Sequence, residues 1–420
     1  MRRFLASLLP QSDAPCALAA FYVLFIYFLC SQYILTASFP YNLGFYGLLL
    51  PSFLIACWRT PDIYRRLPRS VGTYGLLAFF LYIFLHAAIV AHTGSDVRTF
   101  YYTLCTGLFV AMALACFHPR AAVYGEVALR SLMLTAAVTA FLSLVVYAWQ
   151  GEYGRLIPIG RAHNPIPGSS LQAIGALIAL WYGCRRDMTL RFRLVCLLSV
   201  VIIGIMLYFA QSRGPILAFL AACMVALFVL RQWRLLSILL AAGLALVADY
   251  AYFGLHGHSM LGLDGLHHCA GELFEARNSF RLPIWQKALH LTLEQPFLGH
   301  GLHARFSLKG AEGAVNPHNL FLGTAYYTGL PGLLLLLLPL GAALITSLRQ
   351  RRDPYHALCL VLLVHGIAAV MTNFGQPVKS PFPLWTIYWL PIAMALARPV
   401  QKASVGQAYS PGSPSVASTI

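Results

Sequence analysis

A histidine stands at position 318 in "NPHNLFLGTAYYTGLPG", residues 316 to 332, between a turn dipeptide and a long apolar run. Asn316 followed by Pro317 reads as an N-cap and first helical position. That predicts His318 in the first turn of a helix, at the outer boundary of a membrane span. The positive end of a helix disfavours an imidazolium, and a ring kept neutral near pH 7 has a lone pair that can take a proton from a hydroxyl. The alternative is a histidine that only hydrogen-bonds a loop. Three arginines are expected on the same side: Arg161 in "GRAHNPIPGSS", Arg213 in "AQSRGP" and Arg281 at the head of "RLPIWQKALHLTLEQP". A guanidinium is a planar, permanently charged fork of donors that matches phosphate oxygens in pairs. Arg213 is pinned in a tight turn between two spans, either as such a fork or as an anchor gripping lipid phosphates. After Arg281, Pro283 suits a helix start, and Ile284, Trp285, Ala288, Leu289 and Thr292 recur at helical spacing. They predict an interfacial helix whose N-terminus attracts anions; an ordinary surface arginine is the alternative. Arg161 and His163, in a Pro-rich turn, read equally as an anion contact and as plain loop.

The elements that must hold these residues follow from composition. The chain has 420 residues, 59% hydrophobic and 10% charged, far below the roughly 25% charge of soluble domains. Runs of about 18 or more mostly apolar residues predict twelve spans, near 16–36, 41–58, 71–91, 99–117, 127–149, 168–184, 193–210, 214–230, 235–254, 319–348, 355–374 and 382–398. The expected fold is therefore all-α: a polytopic membrane protein of about twelve transmembrane helices, with a large outside loop containing short interfacial helices. Residues 1–254 hold helices one to nine, 255–318 the loop or cap, 319–398 the last three helices, and 399–420 a Ser-, Pro- and Gly-rich tail expected to be disordered. The first span is too long for a cleaved signal peptide and is expected to remain as an anchor.

Charge supplies the orientation. Of the 29 Lys and Arg residues, 19 fall in alternate connections, the pattern that fixes cytoplasmic loops and puts both termini inside. The net charge of +16 is mainly that topology signal, which argues against nucleic acid as a partner. Ten cations remain outside, seven of them arginines, including Arg155 and Arg305 with Lys379 among the lysines. Nine of the ten cysteines lie in or beside spans, so no disulfide framework is expected. Eight of the fourteen histidines lie between His256 and His318, but their spacing fits no closed metal site; no metal and no cofactor is expected. A transporter is the rival class, weakened because Asp249 is the only acid in the predicted spans and coupled transport usually buries ionisable groups there. His86 and His365 read as hydrogen-bonded core positions. No nucleotide supply exists outside a cytoplasmic membrane. A synthetic enzyme facing that way needs a lipid-linked donor, and fixed guanidiniums can neutralise a departing diphosphate.

"QSRG" after the seventh span, "RLPIW...EQPFLGHGL" in the large loop and "NPHN" leading to "GLPG" together resemble the bacterial O-antigen ligases. Their superfamily also holds O-antigen polymerases and O-oligosaccharyltransferases. The resemblance implies a multi-pass inner-membrane glycosyltransferase of lipopolysaccharide biosynthesis with a periplasmic active site. Such an enzyme moves a glycan from undecaprenyl diphosphate to the lipid A-core acceptor, metal-independent and with inversion. It implies His318 as the base for the acceptor hydroxyl, and Arg213 and Arg281, with Arg161 as a further contact, as holders of the donor diphosphate. A polymerase of the same superfamily and a lipid or polysaccharide transporter remain the alternatives. The histidines from 256 to 268 are no part of that pattern.

Overall fold

The computed structural model describes residues 16–60, 68–90, 96–151, 155–238, 281–308 and 315–398, with single positions at 240, 241, 245 and 249. Every element among them is a helix. In chain order these are α1 (Cys16–Ile34), α2 (Ser38–Arg59), α3 (Val71–Ile89), α4 (Asp96–Phe117), α5 (Ala122–Gln150), α6 (Pro165–Gly183), α7 (Leu190–Ala210), α8 (Arg213–Val229), α9 (Arg281–Glu294), α10 (Leu320–Arg349), α11 (Pro354–Met371) and α12 (Trp385–Ala397). The chain is a multi-pass helical membrane protein: among the described residues eight helices, α1 to α5, α7, α10 and α11, are long and apolar enough to cross a bilayer. Eleven of the twelve expected spans correspond to described helices, while the ninth, 235–254, falls largely outside the described residues.

Three of those eleven fall short of a span by length or composition, and α6 shows why. Its run "PIPGSSLQAIGALIALWYG" is diluted by Ser, Gln, Gly and Pro, yet every residue from Pro167 to Ala179 is buried. It packs on α5, α7, α8 and α11, so protein rather than lipid surrounds it. Small residues and interhelical hydrogen bonds replace hydrophobicity in that setting. A Cβ on Gly175 would stand 2.3 Å from the Ala136 methyl on α5. Gln172 donates to Thr139 (3.0 Å), Tyr33 donates to the Leu171 carbonyl (2.9 Å) and the His365 ring donates to the Ser170 carbonyl (2.8 Å). His365 is therefore a hydrogen-bonded core residue, as read from the sequence.

The predicted tenth span is broken. Gly329 adopts φ 72°, ψ 178° inside α10, with Pro331 just beyond, a backbone geometry that favours glycine. The break frees carbonyls that a continuous helix would occupy, and the segment after α9 takes them. His300 N–H donates to Tyr326 O and Gly301 N–H to Tyr327 O, both at 2.9 Å, while Leu330 N–H donates to Pro296 O at 2.7 Å. Tyr82 donates to Thr328 O at 2.7 Å, and the His86 ring donates to Leu298 O at 2.6 Å. "QPFLGHGL" and "TGLPG" are thus two halves of one joint, closed by α3. The joint fixes α9, whose Ile284, Ala288 and Thr292 are buried, against α10. Leu282, Leu289 and Leu293 on α9 remain exposed, as expected of a helix lying in the interface.

Candidate functional site

The N-termini of α6, α8 and α10, the described start of α9 and the C-terminus of α11 share one end of the bundle: Gly214 lies against Thr372, Gly323 against Gly375, Arg281 reaches the Thr372 carbonyl and His365 the Ser170 carbonyl. Exposed backbone N–H groups and helix dipoles make such a set of N-termini favourable for negative charge. All four arginine and histidine positions singled out from sequence lie at that end.

His318 is not in the first turn of α10. The N-cap is Asn319, whose side chain accepts from Phe321 N–H and Leu322 N–H at 3.0 and 3.1 Å. Asn316, the expected cap, instead accepts from the His318 N–H at 2.9 Å, an Asx turn that holds His318 in the left-handed region at φ 49°. The cap lies three residues later than expected because Asn316 and Asn319 are both competent acceptors and each finds a different donor. Asn319 takes the capping role, and the half-buried His318 ring has no hydrogen bond among the described residues. The physical reason for a neutral ring changes with this placement. Burial lowers the His318 pKa first, and the nearby Arg281 guanidinium lowers it further.

Arg281, half-buried at the described start of α9, donates to the carbonyl of Thr372 at the end of α11. Burial lowers its pKa as well, without removing the charge. Arg213 is the first residue of α8, and its neighbour Gly214 lies against Thr372, where an added Cβ would stand 2.4 Å from the hydroxyl oxygen. The turn before it is shorter than expected: two residues, Gln211 and Ser212, with Gln211 at φ 47°. Arg155 clamps that turn, donating to Ala210 O at 3.0 Å and to the Ser212 hydroxyl at 2.8 Å. Thr372 thus joins the start of α8 to Arg281, and Arg281 in turn acts electrostatically on His318.

The connection 372–384 is the common floor. A Cβ on Gly323, in the first turn of α10, would stand 1.9 Å from Gly375 O, and one on Gly375 would stand 2.7 Å from Asn316 Oδ1. Gln376 donates to Leu302 O at 2.6 Å, and Trp389 donates to Pro377 O at 2.9 Å. Arg161 meets the same connection at another point. Its N–H donates to Gln32 O at 2.8 Å, its Nε is buried without a partner among the described residues, and its charge is felt by Lys379. The Lys379 side chain is exposed in outline, but its ammonium sits among packed groups 4.4 Å over the Phe382 ring. That desolvation, then Arg161, lowers its pKa. His163 does not share this surroundings: its ring donates to Thr36 O and serves the turn before Asn164, which caps α6. Thr372 escaped the sequence reading, and Arg155 and Lys379 left only the signal of an outside cation.

Among the described residues no cluster of His, Cys, Asp and Glu is arranged to hold a metal, and none of Arg161, Arg281 and Lys379 has a carboxylate partner there. Arg277, Cys269 and the histidines from 256 to 268 lie outside the described residues. The arrangement can bind an anion on guanidiniums and helix N-termini beside an unprotonated imidazole.

Comparison with known proteins supplies a family. Residues 198–337 match the family model described as O-antigen ligase, a segment that contains Arg213, Arg281 and His318 but not Arg161. An O-antigen ligase of Pseudomonas aeruginosa is 29% identical over 370 residues, covering 86% of each chain. By that segment, and by a relative aligned along most of its length, the family the chain resembles is the O-antigen ligase superfamily.

Proposed function

We propose that the chain is an O-antigen ligase, a glycosyltransferase that moves glycan from undecaprenyl diphosphate to the lipid A-core acceptor at the periplasmic face of the inner membrane. The observation that carries the reading is the juxtaposition of Arg281 with His318, at the end of the bundle where α8 starts with Arg213. In the proposed step the neutral His318 ring takes the proton of the acceptor hydroxyl. The hydroxyl oxygen bonds to the anomeric carbon as the bond from that carbon to the diphosphate oxygen breaks, which inverts the centre. The electron pair leaves with the diphosphate, whose charge Arg213 and Arg281 neutralise, with Arg161 and Lys379 reaching the same donor further along 372–384. Guanidiniums fixed before the bond breaks cost no reorganisation at that moment, so the step needs no metal. The twelve-span topology, with residues 255–318 as a periplasmic cap and both termini cytoplasmic, belongs to the same proposal.

Deleting the gene tests it. Loss of all long glycan from lipopolysaccharide, with accumulation of the lipid-linked polymer and rescue by the intact gene, is the expected outcome. A core carrying a single repeat means a polymerase instead, and unchanged lipopolysaccharide removes both.

The pH dependence tests the charge coupling. His318 works as a base only when unprotonated, so transfer falls as pH drops through its pKa. Arg281 is one of the two causes that lower that pKa. Arg281→Gln removes it, so the ring stays protonated to higher pH and the acid limb moves up. Transfer rates of both proteins between about pH 5 and 8 measure the shift. An acid limb that stays in place, whatever the loss in overall rate, removes the coupling.

A further inference from the structure

Helices α6, α8 and α11 run from the His318 end to a second cationic site, about 28 Å away for the 19 residues of α6. There a cavity of about 950 Å³ opens between the start of α5, the end of α6 and the start of α11. It adjoins a second of about 540 Å³, with Trp181, Arg185 and Pro354 lining both. The two divide their chemistry. The larger has apolar walls that include Leu129, Leu134, Val195 and Leu358, and its charges are largely satisfied internally. Arg130 is paired with Glu126 at 2.7 Å, Tyr182 donates to the same carboxylate at 2.7 Å, and Arg398 stacks 3.7 Å over Tyr355. The smaller is lined by Arg185, Arg231, Arg351 and Arg352 and by no acid. Arg185 is held by Asp187 at 2.5 Å and Arg351 donates to Leu348 O at 3.1 Å. Arg231 and Arg352 have no side-chain partner among the described residues.

We propose that these paired cavities bind one anionic glycerophospholipid of the adjacent leaflet, its phosphate on Arg231, Arg351 and Arg352 and its acyl chains in the larger cavity. The bias of cations toward one side of a membrane explains arginines at this end, but not their gathering around a cleft, where like charges repel. A phosphate relieves that repulsion, and basic pockets between membrane helices suit such headgroups. The lipid's tails have a route: the rim carries Val123, Val195, Phe228 and Trp233, each more than two-fifths exposed on the side of the bundle. Trp233 stands edge-on to Phe228 at 5.2 Å, an amphipathic indole at headgroup level. A soluble anion would use the arginines and leave the greasy cavity without a role.

Full-length protein in zwitterionic detergent supplies the test. Phosphatidylglycerol brominated on its acyl chains is expected to quench tryptophan fluorescence saturably, and brominated phosphatidylcholine at the same density is not. The quenched signal is expected to fall in Trp181→Phe and Trp233→Phe. The triple variant Arg231→Gln, Arg351→Gln, Arg352→Gln is expected to bind at least about tenfold more weakly, roughly the 1.4 kcal/mol per decade of affinity. The single Arg352→Gln, an exposed change with no effect on folding, is expected to bind about threefold more weakly. Equal quenching by both lipids, unchanged binding in Arg352→Gln, or displacement of the lipid by excess inorganic phosphate overturns the proposal. So does quenching that survives both tryptophan changes.

Discussion

Replacing His318 with alanine is expected to lower glycan transfer by about 10²–10⁴-fold, the usual contribution of a positioned proton acceptor, while the protein still inserts and elutes as wild type. Little structure depends on the ring. The turn is held through the backbone, by Asn316 accepting the His318 N–H, and α10 is capped by Asn319. The left-handed φ of 49° makes alanine slightly strained, at roughly 1–2 kcal/mol. His318→Asn is therefore the companion variant: asparagine enters that region readily and has no basic nitrogen. Both are expected to be inactive with purified lipid-linked donor and core acceptor. Product near the wild-type level from either one would remove His318 as the proton acceptor, whatever its neighbours do.

What sequence could reveal depended on whether the signal was local. Eleven of the apolar runs are described helices, and residues 281–294 are helical as the spacing of Ile284, Ala288 and Thr292 suggested, because hydropathy and helical periodicity are written in neighbouring residues. The fork-bearing arginines were visible because cations on the outer side are rare enough to ask for a reason. The cap of α10 was misplaced because Asn316 and Asn319 have the same capping chemistry; the choice is made by the 372–384 connection packing on Asn316, more than fifty residues downstream. Thr372 was invisible for a related reason, since its contribution to Arg281 is a backbone carbonyl that any residue type supplies. Arg155 works through Ala210 O and the Ser212 hydroxyl, partners that no motif joins to it. The break at Gly329 had a local signal in "GLPG", but its counterpart lies at 296–301, and pairing the two requires the fold.

Gly323→Ala is expected to cost more than its size suggests, and in a specific place. Its Cβ would stand 1.9 Å from the carbonyl oxygen of Gly375, a backbone atom that cannot rotate aside. Either α10 or the 372–384 connection must move. The helix is held at the Gly329 joint by three backbone hydrogen bonds and at its start by Asn319, so the connection is the part that yields. Gly375 is itself closed against Asn316, and the same connection begins at Thr372, the acceptor for Arg281 and the neighbour of Gly214. Displacing it therefore disturbs the turn that presents His318 and the acceptor that aims Arg281 together. Overpacking of this kind costs roughly 1–3 kcal/mol, which leaves a folded protein. A misplacement of about 1 Å at a reacting centre, by contrast, can cost on the order of 10²-fold in rate. Gly341→Ala is the internal control, in the same helix with nothing within 4 Å of the added methyl, and it is expected to match wild type. Transfer assays and thermal unfolding followed by tryptophan fluorescence distinguish the cases. If Gly323→Ala transfers as fast as Gly341→Ala, the connection only fills space, and Arg281 and His318 are positioned by something else.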